Sequence, residues 1–244
     1  MRIDVSLCER GLTKSRTEAK SLILSGAVAV NGKVVLKPSF DVLDGDDIAV
    51  DLSNNKYVSR GGIKLEGALR EFKIDPSGRI AVDVGASSGG FTDCLLQNGA
   101  IHVIAVDSGS GQIASKLRND DRVSVFENYN ARYMKSEDFE YTPSLAVMDV
   151  SFISATYIIP AVYNVLSANG DFICLIKPQF EVGKSNIGKG GIVKDDKARA
   201  SAVKKVTDFA LSQGFSVIAV IQSPIKGGDG NVEFLAHFKK MESI

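Results

Sequence analysis

Two aspartates around a run of glycines define the chemistry this chain could perform. Asp83 lies at the end of the apolar run Ile80-Ala81-Val82, and Gly85-Ala86-Ser87-Ser88-Gly89-Gly90 follows as a turn into an amphipathic helix from about Phe91. Glycine lets a backbone approach a bound nucleotide closely while the next helix opens its N-terminus towards it. Asp107 stands 22 residues after Gly85, closing a second apolar run, His102 to Val106. A carboxylate there can accept hydrogen bonds from ribose hydroxyls. Three readings of the loop compete. The dinucleotide fingerprint G-x-G-x-x-G is not met, because Ala86 and Ser87 follow Gly85. Gly85 to Gly89 does match G-x-S-x-G, the hydrolase nucleophile elbow, with Asp149 and His237 downstream in the expected order. His237, however, sits in an alternating strand pattern, and the elbow gives Asp83 and Asp107 no role. The D-x-G loop of S-adenosylmethionine (AdoMet) methyltransferases accounts for both aspartates and is preferred, with other nucleotides or a purely structural turn left open.

A second set of charged residues follows apolar strands. Asp149 opens Asp-Val-Ser-Phe-Ile-Ser, and Lys177 opens Lys-Pro-Gln-Phe-Glu directly after Phe172 to Ile176. A structural ion pair is the plain account of the two. The chemical account is general-base catalysis: methylating a ribose 2′-hydroxyl requires a proton to leave a weak acid. A lysine near its reference pKa of ~10.4 is mostly charged and cannot accept it. A second ammonium nearby and partial desolvation favour the neutral amine, whereas carboxylates oppose that shift and orient the group instead. Lys64 in Arg-Gly-Gly-Ile-Lys can be that second ammonium, and Glu233 in Gly-Asn-Val-Glu a second carboxylate.

These residues need a scaffold. From Ile80 the pattern alternates strand and helix, which predicts an α/β fold with a parallel sheet covered on both faces. Strands are expected at 80–84, 102–106, 123–126, 145–149, 171–176, 215–222 and 231–238. The connection between the last two is too short for a crossover helix, so the final strand should run antiparallel. Seven strands with the last reversed is the Rossmann-like sheet of class I AdoMet methyltransferases. Ligands of such sheets bind beyond the carboxyl ends of the strands, where Asp83, Asp107, Asp149 and Lys177 all fall. A helix from Lys64 to Lys73 precedes the sheet.

Residues 1–51 read as a separate small α+β unit, 52–59 as a polar connector, and 60–244 as the larger domain. Ile3, Leu7 and Leu12 line a short first helix; Ser15-Arg16-Thr17-Glu18 is a capping box for a second, which Gly26 ends. Asn31-Gly32 is the turn pair of a type I′ hairpin. Arg10, Lys14, Arg16 and Lys20 crowd the helical side, while Asp41, Asp44, Asp46, Asp47 and Asp51 lie on the strand side. Such a run is either a solvated helix face or a phosphate-tracking patch.

Composition narrows the classes. With 29 basic and 29 acidic residues, no global field announces nucleic acid, and any basic surface must be local. No apolar run approaches the ~20 residues needed to span a bilayer, and the Met-Arg-Ile-Asp start does not resemble a signal peptide. Cys8, Cys94 and Cys174 are far apart, with no CxxC and only two histidines. Neither a disulfide framework nor a metal site is expected, and a cytoplasmic location fits.

In order along almost the whole chain, the motifs resemble the TlyA family, also labelled hemolysin A, of rRNA 2′-O-ribose methyltransferases related to the FtsJ-type enzymes. Arg2-Ile3-Asp4, Ser15-Arg16 and Val28-Ala29-Val30-Asn31-Gly32 resemble the S4-like RNA-binding domain. Tyr57 to Leu65, Asp83 to Asp93, Asp149 to Ser154, Lys177 to Glu181 and Gly230 to Phe234 resemble motifs of the methyltransferase domain. The resemblance implies a K-D-K-E tetrad at Lys64, Asp149, Lys177 and Glu233. In it Lys177 is the base, Asp149 orients it close to the AdoMet methyl, and Lys64 and Glu233 place the ribose. It implies AdoMet contacts from Asp83, Gly85, Ala86, Ser87, Gly89, Gly90, Phe91, Asp107, Asn130 and Asp149, with Asn130 near the adenine. It also implies a cytidine substrate in ribosomal RNA or ribosomal subunits, contacted by Arg2, Arg10, Lys14, Arg16, Lys20 and Arg60 through shape and phosphate. Ser88 stands where many members carry Thr. Glu181 to Lys194, rich in Gly and Lys, reads as either an ordinary flexible loop or a lid that orders when RNA docks over the methyl donor, and the lid is preferred. Cytosine C5 methylation is disfavoured, since Cys174 lies mid-strand and Cys94 in a helix. A non-catalytic RNA-binding protein would not need the tetrad, and a pore-forming hemolysin lacks any amphipathic membrane segment here.

Overall fold

A computed structural model describes residues 1–13, 15–24, 26–50 and 56–241, arranged as two compact units, Met1–Arg60 and Gly61–Ile244. Lys14 and residues 52–55, half of the expected connector, lie outside the described residues.

In the smaller unit, α1 (Ile3–Glu9) and α2 (Arg16–Leu24) pack over a three-stranded antiparallel sheet, β1 (Val28–Val30), β2 (Lys33–Val34) and β3 (Ile48–Val50), in the order β2-β1-β3. Ile3, Leu7, Ala19, Ile23, Val28 and Val30 form its core. Asn31 and Gly32 both have positive φ, 50° and 75°, as a type I′ turn requires. The Ser15 hydroxyl accepts a hydrogen bond from the Glu18 amide at 3.2 Å, the first half of the expected capping box. Leu12 corrects the sequence reading: α1 ends at Glu9, the chain turns at Gly11, and Leu12 is exposed. Arg2 and Arg16 both grip Asp4, at 2.9 and 3.0 Å. The hydrogen bond from Arg2, together with that from Arg16, holds the buried Asp4 carboxyl at about 2 despite its desolvation.

The larger unit opens with α3 (Gly61–Phe72), three residues earlier than expected, and then builds a seven-stranded sheet. Its strands are β4 (Ile80–Val84), β5 (His102–Val106), β6 (Val123–Phe126), β7 (Leu145–Met148), β8 (Asp171–Ile176), β9 (Phe215–Gln222) and β10 (Phe234–Lys240). Their spatial order is β6-β5-β4-β7-β8-β10-β9. β4 to β8 pair in parallel, while β10 lies between β8 and β9 and runs antiparallel to both. Every residue of β7 and β8 is buried, as strands covered on both faces must be. Helices α4 (Gly90–Gln97), α5 (Ser115–Arg118), α6 (Ile159–Val165), the single turn α7 (Pro178–Glu181) and α8 (Asp196–Ser212) connect them.

Two details depart from the sequence pattern. The last strand begins at Phe234 rather than 231, because the buried Asn231 is engaged elsewhere. Its side-chain oxygen accepts from the Val193 amide and its nitrogen donates to the Gly191 carbonyl, both at 3.0 Å. The segment expected as a lid is thereby tied to the Gly-Asn-Val-Glu turn. The nucleophile-elbow reading also ends here. His237 is in β10, with Nε2 2.9 Å from Asp171 at the start of β8, while Asp149 follows the end of β7.

Candidate active site

The sequence dictates a sharp reversal after β4, and the backbone accomplishes it with three left-handed residues, Gly85 (φ 85°), Ser87 (φ 49°) and Gly89. A Cβ on Gly85 would lie 2.5 Å from the Asp149 carbonyl oxygen, so the chain can pass only as glycine. The Ser87 amide then donates to Asp107 Oδ2 and the Gly109 amide to Oδ1, each at 2.7 Å. Both carboxylate oxygens are thus aimed by backbone and keep lone pairs for ribose hydroxyls. Asn130 accepts from the Arg132 amide at 3.1 Å and caps the short turn Ala131–Tyr133.

These elements enclose a cleft of about 510 Å³ at the carboxyl edge of the sheet. Gly85, Ser87, Asp107, Asn130 and Asp149, all expected from the sequence, line it. Ala86, Gly89, Gly90 and Phe91 do not; they are buried behind the loop and shape it, with Gly89 at φ 92° where a Cβ would strike Leu117. Asp83 is also behind the loop, fully buried, with Oδ2 accepting from Thr92 Oγ1 at 2.6 Å and Oδ1 unpartnered. Burial pushes its carboxyl up to about 7 against the Thr92 hydrogen bond, and the Asp149 charge adds to the rise. Ser108, Gln112, Arg132, Ser151 and Phe152 also line the cleft and were not singled out by the sequence reading. Gln112 could have been noticed only from its fold position: it accepts from Ser87 Oγ at 3.2 Å.

The tetrad forms two ion pairs. Lys177 Nζ lies 2.6 Å from Asp149 Oδ1, an ionic contact rather than a directed hydrogen bond, and donates to Ser151 Oγ at 2.6 Å. Lys64, reaching from α3, donates to Glu233 Oε2 at 2.6 Å, and both side chains are buried. Glu233 stands one step beyond the last register pair of β10 with β8, Phe234–Ile176, and so beside Lys177 at the same edge. Lys64 therefore does not face Lys177 as a lone positive charge; each lysine has a carboxylate of its own. Phe152, between Ser151 and Ile153, is 92% exposed in a left-handed conformation (φ 64°), its ring 5.2 Å from that of Phe180.

In the smaller unit, Arg2 and Arg16 keep about half their side-chain surface exposed while holding Asp4. Arg10 donates to the carbonyls of Leu43, Asp44 and Asp46, Lys20 is exposed, and the Arg60 stem lies beside Gly26. Among the described residues no group of three His, Cys, Asp or Glu could hold a metal ion, and no helix is long and apolar enough to cross a membrane.

The cleft suits an adenosyl cofactor: its volume is that of a small-ligand site, Gly85 lets the ligand approach, and Asp107 offers two aimed acceptors. Sheet order, reversed final strand and loop together define the class, a Rossmann-like AdoMet-dependent methyltransferase. Residues 57–240 match the FtsJ-like methyltransferase family and residues 1–48 the S4 domain. The chain is 44% identical over 234 residues to the 16S/23S rRNA (cytidine-2'-O)-methyltransferase TlyA of Mycobacterium tuberculosis, covering 96% of this chain and 87% of that protein. It is 45% identical over 239 residues to Hemolysin A of Brachyspira hyodysenteriae, covering 98% and 99%. A solved structure from Streptococcus thermophilus, labelled a hemolysin, superposes with a TM-score of 0.79 at 46% identity, covering 100% of this chain and 89% of that one. The chain belongs to the FtsJ-like methyltransferase family, in its S4-bearing TlyA group.

Proposed function

We propose that this protein methylates the 2′-hydroxyl of a cytidine ribose in ribosomal RNA, with Lys177 as the general base. The observation that carries the reading is the position of Lys177 Nζ, held by Asp149 and Ser151, both of which line the cofactor cleft. Gly85, Ser87, Asp107 and Asn130 would hold AdoMet, which when bound supplies an electrophilic methyl group. Lys177 takes the proton that the ribose oxygen loses as it is methylated, and Asp149 and Ser151 keep the amine aimed at that oxygen. The buried Lys64–Glu233 pair, beside Lys177 at the same sheet edge, would place the ribose and tune the base. Phe152 presents an aromatic face at the cleft on which an unstacked base can lie.

The RNA class is drawn from the TlyA relative and from the S4-like unit, whose half-exposed arginines suit phosphate contact. Arg2, Arg10, Lys14, Arg16, Lys20 and Arg60 are the proposed contacts, divided from the catalytic domain near residues 52–59. A ribosomal substrate would place the protein in the cytoplasm. A purely RNA-binding role would leave both ion pairs and the cleft without purpose, and a lytic role rests on relatives' names alone.

The test is transfer of labelled methyl from AdoMet to rRNA, with digestion of the product to nucleosides. Lys177→Ala is expected to lower transfer by at least ~10³-fold while AdoMet still binds in calorimetry. Products methylated on the base rather than the ribose would overturn the assignment.

A further inference from the structure

The geometry points to Glu181 as a positioning residue that clamps the loop bearing Asp149 and Ser151 onto the turn bearing Lys177; this rests on the reading of Lys177 as the base. Two segments leave adjacent parallel strands here, Asp149 to Ala155 after β7 and Lys177 to Glu181 after β8. Beyond Asp149, whose amide still bonds the Val84 carbonyl at 3.0 Å, the first has no sheet ladder to hold it, and it contains an aromatic residue in the left-handed region, at φ 64°. Such a conformation persists only when its surroundings impose it.

The surroundings are the other segment, contact by contact. Lys177 Nζ donates to Ser151 Oγ at 2.6 Å, and the Phe180 ring lies 5.2 Å from that of Phe152. At the far end Glu181 takes three donors at once. Its Oε1 accepts the Ala155 amide at 2.7 Å, and its Oε2 accepts the Ser154 hydroxyl at 2.5 Å and Lys205 Nζ at 3.0 Å. Lys205, on α8, also donates to the Glu181 carbonyl oxygen at 3.0 Å.

The Glu181 side chain is only 2% exposed. Burying a carboxylate costs desolvation that an apolar side chain would not, so its presence trades stability for direction. What it directs is the register of the two segments. Held at Ser151 by Lys177 and at Ser154 and Ala155 by Glu181, the intervening Phe152 has no freedom to relax. Asp149 and Ser151 are thereby kept at Lys177. With Glu181 neutral or absent, the loop beyond Asp149 can slide and the amine loses its aim, while the Asp149 backbone stays bonded to Val84 beside the Gly85 turn.

Full-length Glu181→Gln and Ser154→Ala proteins, the second leaving the carboxylate in place, test this alongside Lys177→Ala. Misalignment of about an ångström costs roughly 100-fold in rate, so Glu181→Gln should slow single-turnover methyl transfer ~10- to 100-fold and Ser154→Ala less. AdoMet affinity should stay within about three-fold, since Gly85, Ser87, Asp107 and Asn130 lie on other segments, while the KM for rRNA is free to rise as the loop bearing Phe152 loosens. Amide hydrogen exchange at residues 151–156 should accelerate in Glu181→Gln while β7 and β8 remain protected. An unchanged single-turnover rate in both variants overturns the proposal. So does a loss of rate matched by equal losses of AdoMet affinity and melting temperature. Unchanged exchange at 151–156 sinks the clamp whatever Lys177 does, and methylation by Lys177→Ala sinks the base whatever Glu181 does.

Discussion

Asp83 illustrates how a residue with an evident chemical reading can serve from behind the site. The acid before the glycine turn suggests cofactor contact, yet its carboxyl faces Thr92 in the interior and not the cleft. Its folded pKa of about 7 is above the unfolded value of ~3.9. Between about pH 4 and 7 the folded chain therefore keeps a proton that the unfolded chain releases, and stability falls as pH rises through that window. Asp83→Asn removes the titration and preserves the acceptor for Thr92. We expect it to be about 1–3 kcal/mol more stable than the parent at pH 8, after the cost of an unpartnered amide, with the advantage vanishing near pH 4. Urea denaturation at both pH values checks this, and AdoMet binding should survive the change.

At the scale of elements, the loop between β4 and α4 carries the strictest requirement. Positive φ at Gly85 and the Asp149 carbonyl at 2.5 Å from any Cβ make this the point where two strand exits touch. Gly85→Ala has to move the Asp149 backbone as well as strain its own. The expected cost is about 2–4 kcal/mol in urea denaturation, with loss of AdoMet binding and of transfer together. The end of the sheet is governed differently. Asn231 withholds its segment from β10 to secure residues 191–193, so Glu233 arrives just ahead of the strand, where Lys64 meets it.

For the molecule as a whole, net charge is zero, and RNA affinity must come from local basic surface. Several candidate contacts are also structural: Arg2 and Arg16 neutralise Asp4, and Arg10 ties down the loop at 43–46. Their substitution would confuse folding with binding. Lys20, exposed on α2, is the cleaner probe. Lys20→Ala should weaken rRNA binding and lower the slope of log affinity against log salt by about 0.7–0.9, the share of one phosphate contact, with AdoMet affinity unchanged. Filter binding across a salt series measures it.

Periodicity and local chemistry were enough to read the seven strands, the reversal of the last, the I′ hairpin and the glycine turn, because each depends on near neighbours in the chain. Asp149 and Lys177 could be picked out as charged residues following strands, which is a rule about topology, whereas the tetrad as a set came from the family resemblance. The pairing of Lys177 with Asp149 was legible, but that of Lys64 with Glu233 was not: these two are 169 positions apart, and only the insertion of β10 between β8 and β9 brings them together. Burial of Asp83, exposure of Phe152 and the grip of Glu181 on Ser154 likewise follow from packing between strand exits, where tertiary contacts decide which face of each loop meets water.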